Sequence, residues 1–285
     1  MSLSDKHLHE FSGFARDLAL AARDETLPRF RQALAVENKK EGTAFDPVTE
    51  ADREAEAVIR TLIEARYPGH GILGEEHGEK PGEGPFRWVL DPVDGTRAFV
   101  CGVPSWTTLI ALEYEGRPVV GVIDQPWTGE MFIGAAGAKL HDDRAARALR
   151  VSGETGLAQA RLSTTDPRAG QCFSDAEAAA FAAVAGQVRL TRFGLDACAY
   201  ALLAAGHFDL VIEAGLQHYD AAALVPVVEQ AGGIVTDWTG KPVGPGFDRP
   251  LAEGGQGGRI VAAASAALLE AALACLAQAE GEGRR

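Results

Sequence analysis

Apolar positions near the start of the chain recur at intervals of three and four: Leu8, Phe11, Phe14, Ala15 and Leu18, resuming at Leu20, Ala21 and Leu27. That spacing predicts an amphipathic helix over residues 5–35 with one face on a core. The polar linker VENKKEGTAFDP follows, and a second helix is expected from Thr49, with Ala55, Val58, Ile59, Leu62 and Ile63 on one stripe and Pro68-Gly69 at its end. The pattern then shortens to apolar runs of strand length at 71–74, 87–90, 107–112, 118–123 and 130–133, with Glu115-Gly116 as a hairpin turn between two of them. From residue 160, strands (160–164, 188–193, 209–212, 233–237) alternate with helices (175–184, 197–205, 221–231), the order of an α/β layer. The charged stretch 142–149 divides the chain into an expected N-terminal α+β unit, 1–147, and a C-terminal α/β unit, 148–285; residues 279–285 read as a loose tail.

With 285 residues, 46% of them apolar, the chain can fill a core without covalent staples. Cys101, Cys172, Cys198 and Cys275 form no CxxC pair and no metal spacing, so they are expected to be reduced and inert, as in a cytoplasmic protein. No run reaches the ~18 apolar residues of a membrane span. The charged N-terminus lacks a leader's apolar centre, which predicts a protein neither exported nor anchored. A formal net charge of -13 argues against nucleic acid as a partner, because that binding relies on clustered Lys and Arg. The same acidity suits carboxylates that hold divalent cations, and through them small anions.

Chemistry enters at WVLDPVDGTRAF, residues 88–99, where a run that reads as a buried strand leads into two aspartates three positions apart. Pro92 biases Asp91 toward extended backbone and Gly95 permits a turn, so Asp91 and Asp94 can converge on one point. Two carboxylates with the Val93 carbonyl between them offer the oxygen donors that a hard divalent cation takes. A helix opening at Thr96 would set the amides of Gly95 and Thr96 beside them as an anion site. Taken singly, the stretch also reads as a helix capped by Asp94, with Asp91 solvated at a strand end. Three further acidic stretches have equally plain readings: Glu75 and Glu76 as turn charges, Thr49 with Asp52 as a capping box, and Asp220 as an N-cap.

Together and in order, DPVTEAD, GEE, WVLDPVDGT and YDAAALVPVVEQAGG resemble the inositol monophosphatase superfamily over residues 40–240. The resemblance implies a layered αβαβα sandwich, commonly a homodimer, that hydrolyses a small phosphate monoester with two or three Mg2+ ions. It implies Glu75, Asp91 and the Val93 carbonyl as ligands of one metal, and Asp91, Asp94 and Asp220 as ligands of another. Thr96 and Asp52 are implied to orient and deprotonate the attacking water, with Glu75 also counted among the catalytic groups. Gly95 and Thr96 would grip the phosphate, and Glu213 would face the organic part of the substrate. His70, His77 and His218 are set aside, because Mg2+ prefers oxygen; Lys39 and Lys40 read as a solvated face.

DGTRAF stands where inositol monophosphatases usually carry DGTTNF. With VCGVPSWTTLIAL, VIDQPWTGE, AAGHFDL and IEAGL, it resembles the histidinol-phosphate phosphatase branch, whose reaction yields L-histidinol and phosphate in histidine biosynthesis. An acidic rim of Glu213 and Asp209 would attract the cationic histidinol. Arg97, the departure from the inositol pattern, is a candidate contact to phosphate or to a neighbouring subunit. Alternative esters are inositol 1-phosphate, fructose 1,6-bisphosphate and 3'-phosphoadenosine 5'-phosphate, whose bulkier or more anionic forms call for clustered basic groups that the sequence lacks. A non-enzymatic metal-binding protein is a further alternative, but it leaves Thr96 and Asp52 without a role. A dinucleotide-binding fold is disfavoured: no GxGxxG opens a helix, and GGQGG at 254–258 reads as a loop.

Overall fold

The computed structural model describes residues 3–32, 37–38, 47–244 and 246–283; Lys39, Lys40, Phe45 and Asp46 lie outside them. The first helix, α1 (Asp5–Thr26), is opened by Ser4, whose hydroxyl accepts from the His7 amide, and it buries Phe11, Ala15, Leu18, Ala19 and Ala22. It is shorter than the expected 5–35. Pro28 has no N–H to continue the helical ladder, and Arg31 takes a left-handed φ of 61°. Two short antiparallel strands, β1 (Glu37–Asn38) and β2 (Pro47–Val48), precede α2 (Glu50–Arg66). Thr49 and Asp52 cap α2 reciprocally, the capping box that their spacing suggests.

The chain then lays down β3 (Gly71–Gly74), β4 (Gly78–Lys80), β5 (Phe86–Asp94), α3 (Thr96–Val100), β6 (Thr107–Tyr114), β7 (Arg117–Gln125), β8 (Glu130–Ala135), β9 (Gly137–His141) and β10 (Ala146–Ala148). The strands form one eight-stranded sheet in the order β10-β9-β8-β7-β6-β5-β3-β4. All its pairings are antiparallel except that of β3 with β5. At the turn between β6 and β7, Glu115 and Gly116 both have positive φ, 52° and 76°, which suits the twist of a two-residue hairpin. Side chains alternate between the faces of the sheet. Trp88 and Leu90 join Ile110, Leu112, Val120 and Val122 against α1 and α2, whereas Val89, Leu109, Ala111, Ile123 and Phe132 face the other way.

A second sheet begins at β11 (Arg161–Thr164), followed by α4 (Asp175–Ala185), β12 (Leu190–Phe193), α5 (Cys198–Ala204), β13 (Leu210–Glu213), α6 (His218–Ala221), α7 (Leu224–Gln230), β14 (Ile234–Thr236), β15 (Ile260–Ala263) and α8 (Ala266–Gly283). Its order is β12-β11-β13-β15-β14, with β11 parallel to β12 and β13, and β15 antiparallel to β13 and β14. The single helix expected over 221–231 is divided, because Pro226 offers no N–H to the Ala222 carbonyl. Residues 279–283 of the expected tail are instead the end of α8, an Ala- and Leu-rich helix that runs to Gly283, and residues 284–285 lie outside the described residues. Arg259 pairs with Glu280 on it at 3.0 Å. GGQGG is a loop, with Gly254, Gly257 and Gly258 at positive φ.

The layers therefore run α1 and α2, eight-stranded sheet, α5 to α7, five-stranded sheet, α4 and α8, an αβαβα sandwich. The middle helices lie hard against the first sheet. A Cβ on Gly121 or Gly134 would collide with the carbonyls of Ala223 and Pro226. No helix among the described residues is long and apolar enough to cross a membrane.

Candidate active site

In a regular strand Asp91 and Asp94, three residues apart, would point to opposite faces. Here Asp91 faces Leu109 on β6 while Asp94 faces Thr107, so three steps on β5 span two on β6. This bulge of one extra residue returns both carboxylates to one side. Pro92, without an N–H, leaves the ladder, and its carbonyl accepts from Thr108 Oγ1 at 2.8 Å. The Val93 amide donates to Asp91 Oδ1 at 3.1 Å. Asp94 accepts from the Ala197 amide at 2.8 Å and from Thr107 Oγ1 at 3.2 Å. Across the cleft, Asp220 in the first turn of α6 accepts from the Gln217 amide at 2.7 Å.

One carboxylate oxygen each from Asp91, Asp94 and Asp220 lies within 4.8 Å of the others. Glu75, in the turn after β3, is hydrogen-bonded to Asp91 beside this trio. Burial, then the charges of Glu75, Asp94 and Asp220, holds the Asp91 carboxyl well above the usual range. Asp94 is raised by burial, then by Asp196 and Asp220. Converging acids that resist ionisation together are the converse of what a cation would find: an all-oxygen donor set whose charges a divalent ion would neutralise. The residues fit a hard metal.

Gly95, at φ 79°, turns the chain into α3, and Thr96 is that helix's first residue. Thr96 Oγ1 lies 3.0 Å from the Val93 carbonyl and 3.4 Å from Asp52 Oδ1. The other Asp52 oxygen accepts from the Thr49 amide at 2.9 Å. Asp52 thus caps α2 and reaches Thr96 at once. Burial raises its carboxyl, against the bonds from Thr49. One turn further along α2, the fully buried Glu56 accepts from the amides of Glu76 at 2.8 Å and His77 at 3.1 Å, fixing the turn that carries Glu75. Gly74 is needed there, because a Cβ would run into the Glu56 carboxylate.

Ten of the eleven residues singled out in the sequence for chemistry are brought together, Asp209 being the exception: nine line a cleft of about 270 Å³ and Asp52 touches it through Thr96. Also lining it is Glu213, which closes β13 and accepts from the Thr165 amide at 3.0 Å and hydroxyl at 2.9 Å. Burial, then Asp196, pushes the Glu213 carboxyl up to about 8. Asp196 is the residue that sequence reasoning missed. It lines the cleft at a left-handed φ of 48°, its Oδ2 3.1 Å from where a Cβ on Gly95 would stand. Burial raises it to about 6 against the pull of Arg97 and Thr165. The signal available in the sequence was a lone acid inside the apolar run FGLDACAY. Arg97 is exposed, lines the cleft and exerts its charge on Asp196 and Asp166.

Asp209 does not join the rim. It precedes β13, at the opposite end from Glu213, and the Arg161 guanidinium grips it at 2.7 and 2.8 Å. His218 is held by Glu113 at 2.7 Å, and Arg87 pairs with the same carboxylate at 2.7 Å. His70 is a packing residue, accepting from Trp88 Nε1 at 3.1 Å and stacking on Tyr67. The four cysteines are free. Cys172 lines the cleft, but burial pushes its thiol up to about 11, which leaves it a poor nucleophile.

The inositol monophosphatase family's sequence profile matches residues 7–281. The bifunctional phosphatase IMPL2, chloroplastic, of Arabidopsis thaliana is 42% identical over 248 residues, covering 84% of this chain and 67% of that protein. A histidinol-phosphatase of Chlorobaculum parvum is 34% identical over 232 residues, covering 80% of this chain and 85% of that one. Among solved structures, an inositol monophosphatase from Zymomonas mobilis matches with a TM-score of 0.80 at 36% identity, over 94% of this chain and 98% of that one. Sheet order and acidic cleft are thus accompanied by a profile that spans nearly the whole chain, and the chain belongs to the inositol monophosphatase family of phosphatases.

Proposed function

We propose that the protein is a Mg2+-dependent phosphate monoester hydrolase that converts L-histidinol phosphate and water to L-histidinol and phosphate in histidine biosynthesis. The observation that carries this reading is that one cleft is lined both by Asp91, Asp94 and Asp220, whose oxygens converge, with Glu75 beside them, and by two further buried acids, Glu213 and Asp196. The first set, with the Val93 carbonyl, would hold two or three Mg2+ ions. The second suits a cationic organic group. A histidinol-phosphatase among the relatives supports the same substrate. In this reading an N-terminal unit, 1–147, supplies most of the metal ligands, and a C-terminal unit, 148–285, contributes Asp220 and Glu213. Four free cysteines fit a cytoplasmic protein, and the exposed side chains of Val103, Trp127 and Phe193 fit a homodimer that would cover them.

Bound at the acidic cluster, Mg2+ would supply counter-charge for the phosphate and Lewis acidity for the attack of water. The chain's own groups do the rest. Thr96 Oγ1, poised between Val93 O and Asp52 Oδ1, orients the attacking water and passes a proton toward Asp52. Asp52 is suited to receive it, because burial has made its carboxylate more basic than a solvated one. Backbone amides of Gly95 and Thr96 hold the non-bridging oxygens, with the Arg97 charge at the rim.

Phosphate release from a panel of histidinol phosphate, inositol 1-phosphate, fructose 1,6-bisphosphate and 3'-phosphoadenosine 5'-phosphate tests the reading. Histidinol phosphate should be preferred, and chelation or Asp91→Asn should abolish release. Preference for inositol 1-phosphate would replace the substrate and leave the hydrolase standing. Undiminished release in chelator or in Asp91→Asn would overturn the metal site.

A further inference from the structure

Four buried side-chain polar atoms find no hydrogen-bond partner among the described residues, and one of them, Tyr200 Oη, belongs to a residue lining the cleft. Burying a hydroxyl without a partner is unfavourable, so such a group at a substrate cleft calls for a partner that arrives with the substrate. Tyr200 is 1% exposed and stands on α5, the helix whose preceding residues Asp196 and Ala197 face Gly95 and Asp94. The charges of Glu213, Asp94 and Asp220 all act on its hydroxyl. The same cleft is lined by Glu213, proposed to face the organic part, and by Asp94 and Asp220, proposed to hold the metals that meet the phosphate. The bond that breaks in a phosphate monoester joins those two parts.

We propose that the Tyr200 hydroxyl donates a hydrogen bond to the ester oxygen of the substrate, and so makes Tyr200 a catalytic residue that stabilises the departing alkoxide. As the P–O bond breaks, its electron pair passes to that oxygen. The phenol shares its hydrogen with the growing negative charge and keeps its own proton, and the proton that completes the alcohol derives from the attacking water. Burial and the surrounding carboxylates hold the phenol well above its ordinary pKa, so it remains a donor throughout the neutral range. A donor pre-placed where charge develops is worth most when the leaving group is poor. The proposal rests on the hydrolase reading but not on which alcohol is released.

The test is Tyr200→Phe, which removes one oxygen and keeps the ring, compared with the unsubstituted enzyme on two esters with Mg2+ present. For histidinol phosphate or another alkyl ester, kcat should fall about 10²-fold, by analogy with loss of one oxyanion donor. For p-nitrophenyl phosphate, whose leaving group needs no help, the loss should be within about threefold. The melting temperature without substrate should be unchanged or higher, because an unsatisfied buried hydroxyl has gone. Equal losses on the two esters, no loss on either, or a lowered melting temperature would each overturn the proposal. Lack of activity of the unsubstituted enzyme on every ester would instead count against the hydrolase reading.

Discussion

Single residues in this protein are placed for two tasks where the sequence suggests a choice between them. Asp52 closes the capping box of α2 with one oxygen and meets Thr96 with the other, so the capping that its spacing suggests leaves an oxygen for the proposed proton transfer. Thr49→Ala should therefore reduce activity as well as stability, the latter by about 1 kcal/mol. Asp91, Asp94 and Asp220 were legible because their types and order are distinctive. Asp196 was not, because an acid in an apolar run looks like any helix-flanking charge until the fold sets it against Gly95. If Asp196 and Glu213 receive a cationic group, Asp196→Ala should raise KM for histidinol phosphate about tenfold, and change KM for the uncharged-alcohol ester inositol 1-phosphate far less. Steady-state kinetics on the two esters checks this; a parallel rise would assign Asp196 to the phosphate or to structure.

At the scale of elements, the decisive devices are those that a periodicity cannot display. Alternation along β5 was readable, but the bulge that reconciles Asp91 with Asp94 exists only in the pairing with β6. Likewise β4, β9, β10 and β15 lack distinctive apolar runs or lie beyond the alternation that marked the other strands. The contact between β6 and α6 is another such device. Asp94 and Asp91 repel Asp220 across the cleft, yet α6 is drawn to the first sheet by the bond from His218 to Glu113, with Arg87 behind it. Burial disfavours the Glu113 charge, but His218 and Arg87 outweigh that and hold its carboxyl below the usual range. His218→Ala should weaken Mg2+ binding about tenfold, as loss of a ligand-orienting group does, and His218→Gln, which retains a donor, should recover most of it. Isothermal titration calorimetry reads both; unchanged affinity in His218→Ala would show that α6 needs no such strut.

The whole molecule shows its acidic cleft in its stability. Asp91 and Asp94 have raised folded-state pKa values, and Glu213 and Asp196 sit at about 8 and about 6, each with burial as the main cause. The folded chain thus retains protons that the unfolded chain releases from about pH 4 upward. A state that binds more protons loses ground as pH rises, so these groups make the metal-free protein less stable at pH 8.5 than at pH 5. Melting curves should show that fall, and millimolar Mg2+ should reduce it by replacing the protons at Asp91 and Asp94; a metal-free melting temperature that rises over the range would contradict the account. The layered architecture was legible from the order of elements and from motifs, whereas the sharing of one helical layer by both sheets was not, since it depends on close approach at Gly121 and Gly134. That sharing also governs the order of events during synthesis. When the ribosome has delivered β10, the first sheet is complete in sequence but one face still lacks α5 to α7. The nascent chain must shelter that apolar face until more than eighty further residues have emerged. Asp220 arrives with them, so the covering of the sheet and the closing of the acidic cluster are one event, and a half-made chain cannot trap metal with the full set.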